Sequence, residues 1–423
     1  MPTERIISFC GLIAMMLAAW ALSNDRRRMN FRLIVSGVAL QLVIGILILC
    51  TGPGEMVFSC TRSLMTGLIS CSDEGSKFVF GTFFFEEPFA GPPFAYTVLP
   101  TVIFFSTLTA VFFHLGILQF VVRAMARVMV WVMDISGSES LCASANVFIG
   151  MTTAPLVIRP YLAGMTRSEL MAMMTGGMAT AAGGPLAAYA AMGVDAGHLM
   201  VASLMSAPAS LVIAKIMVPE SQESETKGIV KVDVPRQDVN VLDAACRGAG
   251  EGLKLALNIA AMIIAFIALV YLANWALAGA WNGYQWLADS CGLVRLPDEP
   301  ITVQWVLGLL FAPVACIMGI EWQDARAVGM LLGEKTVFNE FVAYAHLMTD
   351  VKDTISPRSF VIATYALCGF ANFGSIAVMI GGIGGLVPTR REDFARLGLR
   401  SMIGGALAAF MTAAVAGMLI GNP

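Results

Sequence analysis

Eight stretches of this chain carry little or no charge, and each is long enough to cross a membrane as a helix. A bilayer core of about 30 Å requires about 20 consecutive apolar residues. The stretches are Ile6–Leu22, Leu33–Cys50, Val98–Val122, Leu170–Val194, Leu199–Val218, Leu255–Leu287, Phe360–Pro388 and Ser401–Pro423. The sequence therefore predicts an all-α integral membrane protein with eight transmembrane helices.

The composition argues against soluble classes of protein. Of the 423 residues, 57% are hydrophobic and only 13% are charged, whereas a soluble domain carries about 25% charged residues. A soluble enzyme, a nucleic-acid-binding protein and a secreted disulfide scaffold are thus disfavoured. No Cys/His ligand spacing supports a metal site. Cys60 and Cys71 share one polar segment, and whether they pair is left open.

The basic residues of the short loops predict the orientation of the chain. Cytoplasmic loops are enriched in Lys and Arg. Basic clusters lie between the first and second stretches, after the third, after the fifth and before the eighth. Both termini are then outside, the charged segment Glu220–Asp238 is a cytoplasmic linker, and the protein is expected in the inner (cytoplasmic) membrane.

Two further apolar segments do not read as spans. Leu141–Ile158 is interrupted by polar residues, Gly150 and Pro155, and both of its flanks are predicted to lie in the cytoplasm. Ala327–Leu347 contains Glu334, Lys335 and Glu340, and both of its flanks are predicted outside. The sequence predicts two oppositely oriented re-entrant hairpins.

Each hairpin precedes a span that is broken in its middle. Helix-breaking residues interrupt the middle of the fourth stretch, at Gly176, Gly177, Thr180, Gly183, Gly184 and Pro185. The seventh stretch is interrupted at Gly369, Asn372, Gly374 and Ser375. Gly/Pro-interrupted segments at matching places in two halves indicate an inverted repeat with a binding site at the midplane. Non-helical backbone at that depth is tolerated only when it is buried in protein or lines a cavity. The pattern favours a transporter, and a channel, a receptor or an intramembrane enzyme explains it less well.

The chain resembles the concentrative nucleoside transporter family over nearly its whole length. The residues that carry the resemblance are SANVFIG at 144–150, TGGMATAAG at 175–183, GEKTVFNEFVAY at 333–344 and ATYALCGFANFGSIAVMIGGIGGLVP at 363–388. The resemblance implies a homotrimer that binds one nucleoside per protomer. It also implies an elevator-type movement coupled to sodium, with protons as the coupling ion of some members.

The resemblance divides the chain into two kinds of unit. Residues 1–122 are expected to supply scaffold helices 1–3. Residues 123–218 hold the first repeat of the transport domain, with hairpin 1 and helices 4 and 5. Residues 219–300 comprise the cytoplasmic linker and scaffold helix 6. Residues 301–423 hold the second repeat, with an external helix, hairpin 2 and helices 7 and 8.

The resemblance also assigns roles to particular residues of this chain. The substrate positions include Glu340 and Asn372, which match residues that bind ribose, and Phe370, which matches an aromatic residue beside the nucleoside. The full set of substrate positions is Gly150, Met151, Thr152, Thr153, Pro185, Asn339, Glu340, Phe370, Asn372 and Ser375. The sodium positions are Asn146, Ile149, Thr180 and Ala181.

Structural roles remain open for several of these residues. Glu340 could form an internal ion pair with Lys335 instead of contacting a ligand. Asn146 could cap a helix, and the hydroxyl of Thr180 could bond back to its own helix.

The tip of hairpin 1 departs from the family pattern. Met151 replaces the Gln that bonds the nucleobase, Thr153 replaces a Glu that helps to couple the ion, and Pro185 replaces a small apolar residue. A Met side chain has no donor and only a weak acceptor. Three readings follow: a shifted base preference, another polyol-bearing solute, or uncoupled facilitative exchange.

Overall fold

The computed structural model describes residues 2–82, 94–228, 238–291 and 301–421, and within these ranges the fold is all-α. The only extended pairing among them is a single antiparallel bridge between Ser136 and Lys227. The centre of the predicted linker, at 229–237, lies outside the described residues. The helices are α1 Pro2–Ala21, α2 Phe31–Leu49, α3 Gly52–Phe80, α4 Phe94–His114, α5 Ile117–Met133, α6 Gly137–Ile149, α7 Ala154–Val157, α8 Arg167–Ala179, α9 Gly183–Ala191, α10 Ala196–Met217, α11 Val241–Cys291, α12 Val303–Ile317, α13 Ala325–Val337, α14 Glu340–His346, α15 Pro357–Leu367, α16 Phe373–Leu386 and α17 Arg391–Leu419.

Six continuous helices of the described chain are long and apolar enough to cross a membrane: α1, α2, α4, α10, α11 and α17 with its preceding turn. Two further spans are each divided into two shorter helices, α8 with α9 and α15 with α16. The breaks fall where Gly, Pro and Asn interrupt the apolar pattern, as predicted. Together they account for the eight predicted spans.

Both predicted hairpins are present as helix pairs. In hairpin 1, α6 ends at Ile149 and the chain turns at 150–153 into α7. In hairpin 2, α13 ends at Val337 and α14 begins at Glu340. Buried residues are concentrated in hairpin 1, α8, α10, hairpin 2, α15 and α17, so these elements form the core of the molecule.

The charged residues at the base of hairpin 1 are buried and paired. Ser136 and Glu139 form a capping box at the start of α6, in which each side chain bonds the other's backbone N–H. Lys215, near the end of α10, forms ion pairs with Glu139 and Glu220. Removing one partner of a buried pair is strongly destabilising, so this cluster fixes hairpin 1 to α10.

Two of the predicted spans had wrong boundaries, the third and the sixth. The third span ends at His114, well before Val122, because Gly116 adopts a left-handed conformation (φ 82°) and α5 starts anew. Residues 125–133 form the second half of this α5. The sixth span, expected at Leu255–Leu287, is part of the 51-residue helix α11.

The polar segment that holds Cys60 and Cys71 is the 29-residue helix α3, which the apolar pattern did not indicate. Eleven residues of helix place these cysteines about 16 Å apart along the axis. A disulfide needs Cα atoms within about 7 Å. Both cysteines are free, so the pairing that the sequence left open is excluded.

The two broken spans cross at Gly369, which has a φ of 141°. A Cβ atom at this position would lie 2.7 Å from the carbonyl oxygen of Ala179, the last residue of α8. The close approach brings the break of α15–α16 directly onto the break of α8–α9. Only glycine fits both the conformation and the space.

We expect Gly369→Ala to destabilise the protein by about 1–3 kcal/mol, because the added methyl group overpacks the crossing and the conformation disfavours a side chain. Gly381→Ala is the matched control, since no atom lies within 4 Å of a Cβ there. Thermal unfolding of purified protein, followed by size-exclusion chromatography, should show a lower apparent Tm only for Gly369→Ala. Equal Tm values for both variants would contradict the crossing.

Candidate functional site

The tip of hairpin 1 packs against the broken span α8–α9. Gly150 has a φ of 81°, and a Cβ there would lie 3.2 Å from the Cβ of Ala182 in the break. A Cβ on Gly177 would lie 2.7 Å from that of Met151 and 2.8 Å from the terminal methyl of Met379. Met151 therefore packs against Gly177 of α8, next to Met379 of α16.

A cavity of about 510 Å³ opens beside this tip. Pockets for small ligands typically span about 300–1,000 Å³. Seven residues that the sequence predicted for substrate or ion line it, namely Ile149, Gly150, Met151, Thr152, Thr153, Pro185 and Phe370. The structure thus gathers the hairpin 1 positions, the α9 proline and the α15–α16 break around one cavity.

The other four predicted substrate residues form a buried cluster beside the cavity, namely Asn339, Glu340, Asn372 and Ser375. Asn339 caps the N-terminus of α14, and its side-chain oxygen accepts a hydrogen bond from the Val342 N–H (2.9 Å). Asn372 caps α16 and accepts from the N–H of Ser375 (2.8 Å). The amide nitrogen of Asn372 donates to Glu340 (3.0 Å). The N-termini of α14 and α16 therefore lie next to the Glu340 carboxylate.

Tyr189, which no sequence pattern indicated, also belongs to this cluster. The hydroxyl of Tyr189, at the end of α9, donates to Glu340 (3.2 Å). Its ring stacks on Tyr344 with centroids 4.4 Å apart, and Tyr344 donates to the carbonyl oxygen of Thr364 (2.7 Å). A tyrosine inside an uncharged span was the available signal, since buried Tyr hydroxyls need a partner.

Lys335 does not pair directly with Glu340. The Lys335 ammonium is fully buried and donates to the carbonyl oxygen of Ala366 (2.8 Å), just before the α15 helix ends. It also lies 5.9 Å from the centroid of the Phe410 ring. The Glu340 carboxylate accepts side-chain hydrogen bonds from Asn372 and Tyr189, and its two oxygens have lone pairs for further donors.

The four predicted sodium positions lie close together at two helix C-termini. Asn146 and Ile149 belong to the last turn of α6, and Thr180 and Ala181 follow the end of α8. A Cβ on Gly176 would lie 3.3 Å from the Asn146 amide nitrogen, which shows the proximity of the two ends. Helix C-termini present unpaired carbonyl groups and the negative end of the dipole.

One oxygen at this place is buried without a partner. The side-chain oxygen of Asn146 accepts no hydrogen bond within the described chain, although the residue is 1% exposed. The Thr180 hydroxyl donates to the Gly176 carbonyl of its own helix (2.8 Å), which is the structural role that the sequence left open. The lone pairs of the hydroxyl oxygen stay free. Ser203 donates to the Ala181 carbonyl (3.0 Å). An orphaned oxygen among carbonyl and hydroxyl oxygens suits a hard cation.

α11 also lines the cavity, which no sequence pattern indicated. Four polar residues at helical spacing line it, namely Arg247, Glu251, Lys254 and Asn258. The Arg247 guanidinium donates to both oxygens of Asp238 (2.7 and 2.9 Å) and to Glu251 (2.9 Å). The hydrogen bond from Arg247 lowers the pKa of the Asp238 carboxyl, so this pair is charged at neutral pH.

A second cavity, of about 400 Å³, lies farther along α11. Its walls are formed by α11 residues from Phe266 to Asn274 and by hairpin 2. There His346 contacts the carboxylate of Glu334 through Nδ1 (2.9 Å). One helix therefore faces a cavity at each of two levels.

These features define a membrane transporter: broken spans, paired hairpins and a polar cluster at the level of the breaks. Comparison with known protein families also indicates a transporter. Three sequence families match, described as Na+ dependent nucleoside transporter N-terminus (residues 10–83), Nucleoside recognition (95–196) and Na+ dependent nucleoside transporter C-terminus (198–417). The chain belongs to the Na+-dependent nucleoside transporter family.

Full-length relatives include two bacterial transporters of unassigned activity. "Uncharacterized transporter YutK" of Bacillus subtilis is 40% identical over 97% of this chain and 98% of its own. An "Uncharacterized transporter" of Haemophilus influenzae is 39% identical, with 98% and 97% covered. Human "Solute carrier family 28 member 3" is 39% identical over 99% of this chain, which spans 60% of the human protein. The relatives are transporters, and this chain is a multi-pass membrane transporter rather than an enzyme.

Solved structures extend the match to the fold. CNTnw in an inward-facing substrate-bound state superposes with a TM-score of 0.90 at 36% identity, covering 98% of this chain and 99% of CNTnw. A doubly substituted CNTnw in an outward-facing state gives a TM-score of 0.89 at 35% identity, with 98% and 97% covered. The fold is thus that of an elevator-type transporter. The inward-facing and outward-facing states of CNTnw fit this type of movement.

We expect Tyr189→Phe to weaken binding of a nucleoside probe such as uridine severalfold, because the Glu340 carboxylate loses a donor that orients it towards a ligand. The ring and its stacking on Tyr344 are kept, so the protein should fold. Tyr161→Phe is the matched control, because Tyr161 lines neither cavity and its hydroxyl makes no hydrogen bond with any other described residue. Equilibrium binding to purified protein measures the effect. Unchanged affinity in Tyr189→Phe would show that the phenol does not orient Glu340.

Proposed function

We propose that this protein is a concentrative nucleoside transporter that couples nucleoside uptake to sodium. The observation that carries the proposal is the buried Glu340 carboxylate, held between the N-termini of α14 and α16 by Asn372 and Tyr189. A carboxylate inside a membrane protein is costly and marks a functional site. Family membership supports the assignment.

Ribose suits the chemistry of this cluster. Adjacent sugar hydroxyls donate to a carboxylate, and such charge-assisted hydrogen bonds are strong. Asn339 and Asn372 already use one oxygen each as a helix cap. Their amide groups, together with the Ser375 hydroxyl, can supply further donors and acceptors. We assign the sugar to these four residues.

The nucleobase then faces the cavity at the hairpin 1 tip. Gly150, Met151, Thr152 and Thr153 form one side of that cavity, and Pro185 and Phe370 form another. The wall is largely apolar, and Thr153 supplies a hydroxyl but no charge. Proton coupling through this position is therefore excluded, which favours sodium over protons.

We assign the sodium site to the ends of α6 and α8. The ligands would be the side chains of Asn146 and Thr180 and the carbonyl oxygens of Ile149 and Ala181. The support is the buried, unpartnered oxygen of Asn146 beside two helix C-termini. Sodium travels with the nucleoside as a second substrate.

The assembly and its movement complete the proposal. We assign residues 1–122 and 219–300 to a scaffold, and residues 123–218 and 301–423 to a transport domain that moves along α11 as an elevator. The two cavities at different levels of α11 support this movement. Exposed apolar side chains on α11 that line neither cavity support a homotrimer, namely Leu257, Ile264 and Trp275.

The proposal predicts uptake of labelled uridine or adenosine into proteoliposomes when a sodium gradient is imposed. We expect Glu340→Gln to reduce uptake at least a hundredfold, because the neutral amide loses the charge-assisted bonds to ribose. Glu392→Gln, on the exposed start of α17, is the matched control and should transport normally.

Two results separate the alternatives. Equal uptake with and without ion gradients would indicate facilitative exchange. No uptake of either nucleoside by folded wild-type protein would refute the nucleoside assignment and direct the search to other polyol-bearing solutes.

A second prediction concerns the ion. We expect Asn146→Leu to remove the sodium dependence of nucleoside binding, because the side chain keeps its bulk but loses the free oxygen. Titration of binding against sodium measures this, with choline replacing sodium at constant ionic strength. Asn30→Ala, at the start of α2, is the control outside the site. A wild-type sodium response in Asn146→Leu would reject the assigned site.

A further inference from the structure

The N-terminal third of α11 is fixed in rotation by a pair of glycines. A Cβ on Gly248 would lie 2.7 Å from the Cβ of Ala110, and one on Gly252 would lie 2.7 Å from the Cα of Ile103. Small residues four apart let two membrane helices approach closely. The contact with α4 turns the adjacent face of α11 towards the cavity, and this face carries Lys254 and Asn258.

Two of the four polar residues on this face are already engaged. Arg247 and Glu251 bind each other, and Arg247 also binds Asp238. Lys254 and Asn258, by contrast, make no side-chain hydrogen bond or ion pair with any other described residue. Both line the same cavity as Met151 and Thr153. Their donor and acceptor groups are therefore free to form hydrogen bonds with a ligand in the cavity.

The two side chains differ in what they can select. The Lys254 ammonium has three donors and no acceptor, whereas the Asn258 amide both donates and accepts. A keto oxygen on a base accepts a hydrogen bond from lysine, as the O6 and N7 atoms of guanine do in nucleic-acid recognition. An exocyclic amino group at the same place would face another donor and leave both groups unpaired.

We propose that Lys254 is a specificity determinant that favours nucleosides with a keto group on the base over those with an amino group. The inference rests on the proposed function and adds the class of base. Polar recognition that Met151 cannot supply comes from the fixed helix α11, which lines the same cavity, and Asn258 adds a contact that tolerates either group.

Matched pairs of nucleosides test this directly. Inosine and adenosine differ in a keto or an amino group at C6, and uridine and cytidine differ likewise at C4. Competition binding to purified wild-type protein in sodium should give at least tenfold tighter Kd values for inosine and uridine. Lys254→Met should bring each ratio close to one by weakening the keto nucleosides, since a hydrogen bond to a charged donor is worth about tenfold or more.

Two further variants complete the experiment. Lys254→Arg keeps a cationic donor and should retain the preference, and it also covers the case in which Lys254→Met does not fold. Lys352→Met, at an exposed position away from the cavity, should behave as wild type.

The outcomes distinguish the two proposals. Equal affinities in the wild-type protein, a preference for adenosine and cytidine, or a preference that survives in Lys254→Met would overturn the role of Lys254 while nucleoside binding stands. Failure of the wild-type protein to bind any of the four nucleosides would overturn the nucleoside assignment, and the role of Lys254 with it.

Discussion

The structure depends on satisfying the backbone groups that two broken helices leave unpaired inside a membrane protein. Without water, each unpaired N–H or carbonyl costs several kcal/mol. The hairpins and spans solve this with side chains at the breaks. Asn339 and Asn372 cap the helices that restart there, and Lys335 reaches the Ala366 carbonyl of the helix that stops. Each break is thus stable only because polar groups are held beside it.

The same requirement gives the two halves opposite chemistry. At hairpin 1, α6 and α8 end, so carbonyl oxygens converge near Asn146. At hairpin 2, α14 and α16 begin, so N–H groups and their caps converge near Glu340. Helix C-termini favour a cation, whereas N-termini favour a negative charge. One fold therefore offers a place for a cation at one break and for an anchored carboxylate at the other.

The sequence predicted the breaks, the hairpins and fourteen lining or buried positions because Gly, Pro and Asn stand out within uncharged runs. It did not predict features that depend on how the helices pack against one another. The polar helix α3 packs on α2 and α4 without an apolar span pattern. Tyr189 and Lys254 lie far along the chain from the residues they face, and no local spacing relates them to Glu340 or Met151. Their contribution depends on how α9 and α11 pack.

The position of Lys254 on α11 has a consequence for the transport cycle. If hairpin 1 moves and α11 stays, a bond from Lys254 to the base exists only while the cavity is beside the first third of α11. A contact made in one state alone stabilises that state, and tenfold tighter binding corresponds to about 1.4 kcal/mol. Under the predicted orientation that state faces the cytoplasm. Keto nucleosides would then be released more slowly than amino nucleosides, so preference in binding and preference in turnover would have opposite signs.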